Sequence, residues 1–219
     1  MNDPPQTTRA AVLISGGGTN LQAFIDRVAA GTLDLELVVV ASSNPRAGGL
    51  KRAERAGIPA EIVPSSDYDQ REAYDSALAS ALDRYAPDLV LLAGFMRILT
   101  PAFVARWRGR LLNIHPALLP RFPGLDTHRR ALAAGDSRHG CTVHFVTEAL
   151  DAGPAIIQGS VPVLPGDTPE TLAARVLAVE HQIYPEAARL FAAGRLALRD
   201  GRPWLDGQPL DAPLQYTPP

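Results

Sequence analysis

A carboxamide two residues before an imidazole, in Leu112-Asn113-Ile114-His115-Pro116, is where residue type and spacing first suggest chemistry in this sequence. Side chains of an extended strand alternate between its faces, so Asn113 and His115 project together while Ile114 packs on the other side. The pair offers an amide donor and a group that titrates near neutrality, suited to a developing oxyanion and to proton transfer. A hydrogen-bonded structural histidine is the alternative. The next segment, Leu118-Leu119-Pro120-Arg121-Phe122-Pro123-Gly124, is bounded by prolines and has the character of a site wall.

A second candidate is Ser15-Gly16-Gly17-Gly18-Thr19-Asn20, between an apolar run and a stretch of helical period. Glycines let the backbone curl tightly there, and the free N–H groups of a helix start then point at an anion, preferably a phosphate. The alternatives are a plain strand-to-helix turn and a dinucleotide loop. Leu21 stands where the third glycine of a dinucleotide fingerprint belongs. The second strand ends in Ala41-Ser42-Ser43-Asn44 without an acidic ribose ligand, although Ser43 with Arg46 could serve NADP.

The third candidate runs from Gly140 to Pro154 and reads as a strand, a tight turn holding Asp151, and another strand. Asp before Ala-Gly-Pro is also ordinary turn chemistry. His144 lies mid-strand and reads as buried and hydrogen-bonded, and whether it also meets a ligand stays open. Cys141 reads as a small core residue.

The elements that must position these groups alternate β-rich apolar runs with helical stripes, the pattern of an α/β chain with an open, mostly parallel sheet and helices on both faces. Strands are expected at Ala10–Ile14, Leu35–Ala41, Glu61–Val63, Leu89–Ala93, Leu111–His115, Thr142–Val146 and Ala155–Val161. Leu21, Phe24, Ile25 and Val28 form one helical stripe, and Tyr74, Leu78, Leu82 and Tyr85 another. A third helix begins near Thr168 with Pro169 at its first position, carries Leu172, Val176, Val179 and Ile183, and should kink or end at Pro185. Leu196–Arg199 and Pro203–Leu205 flank Gly201 as a small C-terminal hairpin. The expected layout is a tail over 1–9, one domain over 10–206 and a flexible tail over 207–219.

The chain has 219 residues, 46% apolar, with 21 basic and 23 acidic residues. Near charge balance argues against a broad nucleic-acid or lipid-binding surface, so anion binding must be local. A single cysteine excludes a disulfide framework and a multi-cysteine zinc site. The longest apolar run, Leu89 to Met96, is far shorter than the ~18 residues of a spanning helix, and no apolar leader opens the chain, so a cytoplasmic protein is expected.

Taken together and in order, SGGGTN, LAGFMRIL, LLNIHPALLPRFPG and HGCTVHFVTEALDAGP closely resemble the phosphoribosylglycinamide formyltransferases of purine biosynthesis, from about Val12 to Leu205. Asn-x-His-Pro and Leu-Asp-x-Gly are shared with the wider folate-dependent formyltransferase family and imply formyl chemistry only. The phosphate loop and the length imply the acceptor. A methionyl-tRNA formyltransferase would need a further C-terminal domain, and a formyltetrahydrofolate hydrolase of the bacterial kind an N-terminal one. Neither is expected here.

The resemblance implies a Rossmann-like formyltransferase fold, 10-formyltetrahydrofolate as co-substrate without a metal, and glycinamide ribonucleotide as acceptor. It implies that Gly18, Thr19 and Asn20 hold the ribonucleotide phosphate and that Glu180 contacts the same substrate. On a helical wheel Glu180 lies beside the stripe of Val176, Val179 and Ile183, which suits a rim position or a solvated flank equally. It further implies that Arg71 meets the folate's glutamate carboxylates, and that Met96, Arg97, Ile98 and Leu99, with Asn113 and Thr147, Glu148, Ala149, Leu150 and Asp151, border the folate. Asn113 would donate to the oxyanion, His115 would stabilise it and act as acid, and Asp151 would favour the imidazolium. Two departures stand out: Gly17 replaces a larger polar residue, and Ala152 the first glycine of a frequent Asp-Gly-Gly. Neither nucleic acid nor membrane is an expected partner, and monomer and homodimer both remain open. The rival readings are an NADP-binding oxidoreductase, another formyltetrahydrofolate-using transferase or hydrolase, and a non-catalytic binding module.

Overall fold

The computed structural model describes residues 7–217, which group into two compact units dividing between Leu111 and Leu112. This boundary falls inside the single domain expected over 10–206.

The first unit alternates β1 (Thr8–Ile14), α1 (Thr19–Ala29), β2 (Leu35–Ser42), α2 (Gly49–Arg55), β3 (Ala60–Ile62), α3 (Arg71–Asp83), β4 (Leu89–Leu92) and α4 (Pro101–Arg106). Its strands run parallel in the order β4-β1-β2-β3. Ala10 through Ile14 and Leu89 through Leu91 are fully buried, as strands covered on both faces must be. Tyr74, Leu78 and Leu82 form the buried stripe of α3, and Leu21 and Phe24 that of α1. The short helices α2 and α4 were not expected, because six or seven residues are too few to display a helical period.

The second unit contains β5 (Leu111–His115), α5 (Thr127–Ala133), β6 (Arg138–Phe145), β7 (Ala155–Pro162), α6 (Pro169–Ala192), β8 (Leu196–Arg199), β9 (Arg202–Leu205), β10 (Gln208–Pro209) and β11 (Leu214–Tyr216). Here β6 runs antiparallel to both β5 and β7, while β11 adds in parallel to β7. The strands of the first unit are thus all parallel, and those of the second are mixed. Helix α6 begins with a capping box, Thr168 exchanging hydrogen bonds with Thr171, and with Pro169 in the first turn. It packs closely on β7: a Cβ on Gly159 would stand 2.2 Å from Val179 Cγ1.

Three expectations need correction. Of the two outcomes expected at Pro185, a kink or an end, the end does not occur: α6 continues to Ala192. One missing backbone donor costs about 3 kcal/mol. Burial of Ala187, Ala188 and Leu190 on the following turns offsets it. Strand β1 starts at Thr8, inside the expected tail, and residues 1–6 lie outside those described. Of the expected tail 207–219, Gln208–Pro209 pairs with β9, and Leu214–Tyr216 pairs with Ile157–Gly159 of β7. Residues 218–219 lie outside those described. Pairing on a sheet edge uses main-chain groups, so a polar, proline-rich composition does not reveal it. The expected hairpin is present as β8 and β9 around Asp200 and Gly201, both at positive φ, the turn that matches strand twist.

Candidate active site

In the first unit, the loop after β1 is shaped by a close approach of main chain to main chain. Gly18 caps α1 in a left-handed conformation, φ 70°, and a Cβ there would lie 2.6 Å from Gly49 Cα at the start of α2. Gly49 N–H donates to Gly16 O at 3.1 Å. Arg52 of α2 donates from Nε to Gly17 O at 2.9 Å and from Nη1 to Gln22 Oε1 at 3.0 Å. The hydroxyls of Ser15 and Ser43 share a hydrogen bond of 2.7 Å, and Met96 N–H donates to Ser15 Oγ. Ser43 is thereby engaged in the loop's own scaffold, which weakens the NADP alternative. Gly49 and Arg52 went unnoticed in sequence, although the Gly-Gly pair at 48–49 was the available signal.

Of the residues implied to border a folate in this unit, Met96, Arg97 and Ile98 are exposed and Leu99 is buried. The Arg97 guanidinium lies 5.5 Å from the centre of the Tyr74 ring. Arg71 opens α3 and is exposed.

In the second unit the antiparallel register of β5 and β6 sets Asn113 opposite His144 and His115 opposite Thr142. Asn113 Nδ2 lies 3.1 Å from His144 Nε2, and His144 Nδ1 lies 3.0 Å from Phe145 O. A carbonyl only accepts, so His144 carries its proton on Nδ1 and takes the Asn113 N–H on Nε2. Burial keeps His144 below the ordinary histidine range, with the Phe145 carbonyl and the Asp151 charge opposing. The neutral ring therefore orients the carboxamide, a role that the sequence left open for this residue.

His115 and Asp151 are both nearly buried, their side chains 6% and 9% exposed. Phe122 O accepts from His115 Nε2 at 2.9 Å, and His115 Nδ1 lies 3.4 Å from Asp151 Oδ2. Gly124 N–H donates to the same carboxylate oxygen at 2.8 Å. His144 Nε2 is 4.0 Å from Asp151 Oδ1. Asn113, His144, Asp151 and His115 thus form one connected group. Asp151 takes φ 49°, and Gly153 beyond it has no space for a side chain: a Cβ would lie 1.8 Å from Phe145 O. Ala152 is exposed, so the departure there carries no steric cost.

Thr147 is half-buried, whereas Glu148, Ala149 and Leu150 are exposed on the turn before Asp151. Glu180 is buried with the apolar stripe of α6, and its charge adds to the burial that raises the Cys141 thiol. Among the described residues no group of three or more His, Cys, Asp or Glu is placed to hold a metal, and no helix is long and apolar enough to cross a membrane.

Residues 8–188 match the model of the formyl transferase family. The chain is 53% identical over 199 residues to phosphoribosylglycinamide formyltransferase of Escherichia coli K12, covering 91% of this chain and 94% of that protein. The chain belongs to the phosphoribosylglycinamide formyltransferase family. The structure of the phosphoribosylglycinamide formyltransferase from Coxiella burnetii, in complex with CHES, superposes with a TM-score of 0.92 at 49% identity, covering 96% of this chain and all of that one. The family domain also occurs inside longer proteins. The chain is 48% identical over 194 residues to the trifunctional purine biosynthetic protein adenosine-3 of Bos taurus, matching 89% of this chain and 19% of that protein.

Proposed function

We propose that this chain transfers the formyl group of 10-formyltetrahydrofolate to the amine of glycinamide ribonucleotide, in purine biosynthesis. The geometric observation that carries the reading is the group formed by Asn113, His144, Asp151 and His115: an amide held by a neutral ring beside an imidazole whose two nitrogens both face oxygens. A binding module has no need of an amide donor and an acid–base pair together.

In this reading the substrate amine adds to the formyl carbon, and the carbonyl oxygen becomes an oxyanion. One Asn113 N–H is committed to His144, and the other donates to that oxygen, an interaction worth about 10²–10³ in rate. His115 stabilises the same charge and conveys a proton to the departing folate nitrogen, for roughly 10²–10⁴ more. The amine gives up one proton and the leaving nitrogen gains one, so the balance is even. Asp151 faces His115 Nδ1 at 3.4 Å and helps the proton transfer. In the first unit, the main-chain N–H groups at Gly18, Thr19 and Asn20 hold the ribonucleotide phosphate, with α1 favouring the negative charge. Glu180 contacts the ribonucleotide, while Arg71 and the residues from Met96 to Leu99 and from Thr147 to Asp151 meet the folate.

The test is tetrahydrofolate release from 10-formyltetrahydrofolate with and without glycinamide ribonucleotide. Release that depends on the acceptor is the expected result. Release without acceptor would identify a hydrolase, and none under either condition would refute the assignment.

A further inference from the structure

We infer that Phe122 to Gly124 form a main-chain clamp that orients His115 and Asp151 together and leaves His115 Nδ1 as the nitrogen facing the reacting atoms. This rests on the roles proposed for those two residues. One arm of the clamp is Phe122 O, which accepts the His115 Nε2–H at 2.9 Å. The other is Gly124 N–H, which donates to Asp151 Oδ2 at 2.8 Å. With its Nε2 proton committed to a carbonyl, the ring can gain and lose a proton only at Nδ1, the atom 3.4 Å from Asp151. Imidazole and carboxylate therefore take their orientation from the same three residues, and displacing that turn displaces both.

The clamp has to be held, because Phe122 adopts φ 53°. A left-handed conformation is unfavourable for a residue other than glycine. The ring supplies the hold. The guanidinium groups of Arg121 and Arg130 lie 4.9 and 5.3 Å from its centre, and His139 meets it edge-on at 6.1 Å. Behind it, buried His139 is tied to His128, Nε2 to Nδ1, at 3.2 Å. Arg130 of α5 also donates from Nη1 to Leu125 O at 3.2 Å and to Pro123 O, strapping the turn on both sides of Gly124. Phe122 and Arg130 are accordingly positioning residues, acting on the reaction through His115 and Asp151.

The experiment compares Phe122→Gly, Phe122→Tyr, Arg130→Met and His115→Asn in steady-state kinetics and in ¹⁵N NMR of the His115 ring. Glycine accepts the positive φ but has no ring, tyrosine keeps the ring, and Arg130 is exposed, so its replacement leaves the core untouched. The expected result is a fall in kcat of about ten- to a hundredfold in Phe122→Gly and Arg130→Met, the scale of a misplaced reacting group. KM for the ribonucleotide should stay within about twofold, and the ring should change from a fixed Nε2–H form to a mixture of tautomers. Phe122→Tyr should behave as the unsubstituted protein does. Unchanged kcat, or an unchanged tautomer beside a lowered kcat, in Arg130→Met and in any folded Phe122→Gly overturns the clamp. Full turnover in His115→Asn would instead overturn the assignment of His115, on which the clamp depends.

Discussion

The glycine loop of the first unit and the Asn113–Asp151 cluster of the second are built from different materials. The loop consists of main chain, and its form depends on the absence of side chains: Gly18 and Gly49 can meet because neither has a Cβ. The cluster consists of buried side chains, and its form depends on which atom carries each proton. A main-chain site presents fixed dipoles at every pH and fails when its shape fails. A side-chain site can keep its shape and still lose its function through one atom or one proton.

The sharpest challenge to that contrast is Asn113→Ala. It should lower kcat by about 10²–10³, the usual cost of losing an oxyanion donor, with ribonucleotide KM little changed in steady-state kinetics. An equal rise in KM would mean that Asn113 binds ground state and transition state alike, as a shape-dependent site does.

Acid should distinguish the two regions next. Burial, with the His128 ring beside it, pushes His139 down to about 4. Between about pH 6.5 and 4 the unfolded chain takes up a proton that the folded ring refuses, so stability falls as pH drops through that window and is level above it. The loss is on the order of 3 kcal/mol for a shift of this size, and buried His144 acts in the same direction. Urea unfolding at pH 7, 5.5 and 4.5 measures it. His139→Gln should flatten the curve, and an equally steep curve in that variant would remove His139 as the cause.

The smallest effect belongs to the loop. Gly18→Ala combines positive φ with a clash against Gly49 Cα and should cost roughly 1–3 kcal/mol, read as a higher ribonucleotide KM and a lower Tm at nearly unchanged kcat. Gly17→Ala meets nothing within 4 Å of the new Cβ and should be tolerated in Tm. Equal sensitivity at both positions would show that the loop does more than present its main chain.

Much of this architecture was legible in advance because local rules and global packing agree. Leu111–His115 matches its expected strand residue for residue, and Thr168 with Pro169 announced α6 through chemistry confined to a single turn. Where the reading failed, long-range contacts decided. Leu214–Tyr216 became a strand because the edge of β7 was there to pair with. The run of α6 past Pro185 depends on what its last turns bury.

The residue types at Asn113, His115 and Asp151, and the glycines before α1, were set by the sequence alone, since side-chain chemistry and backbone freedom are properties of single residues. Which groups became partners was not. The pairing of Asn113 with His144 follows from an antiparallel register between β5 and β6. The carbonyl on His115 and the amide on Asp151 follow from a turn at positive φ, and the form of the glycine loop from a glycine on α2. Hydrogen bonds and close contacts act over about 3 Å. Only the folded chain brings residues separated by 7 to 31 positions within that reach.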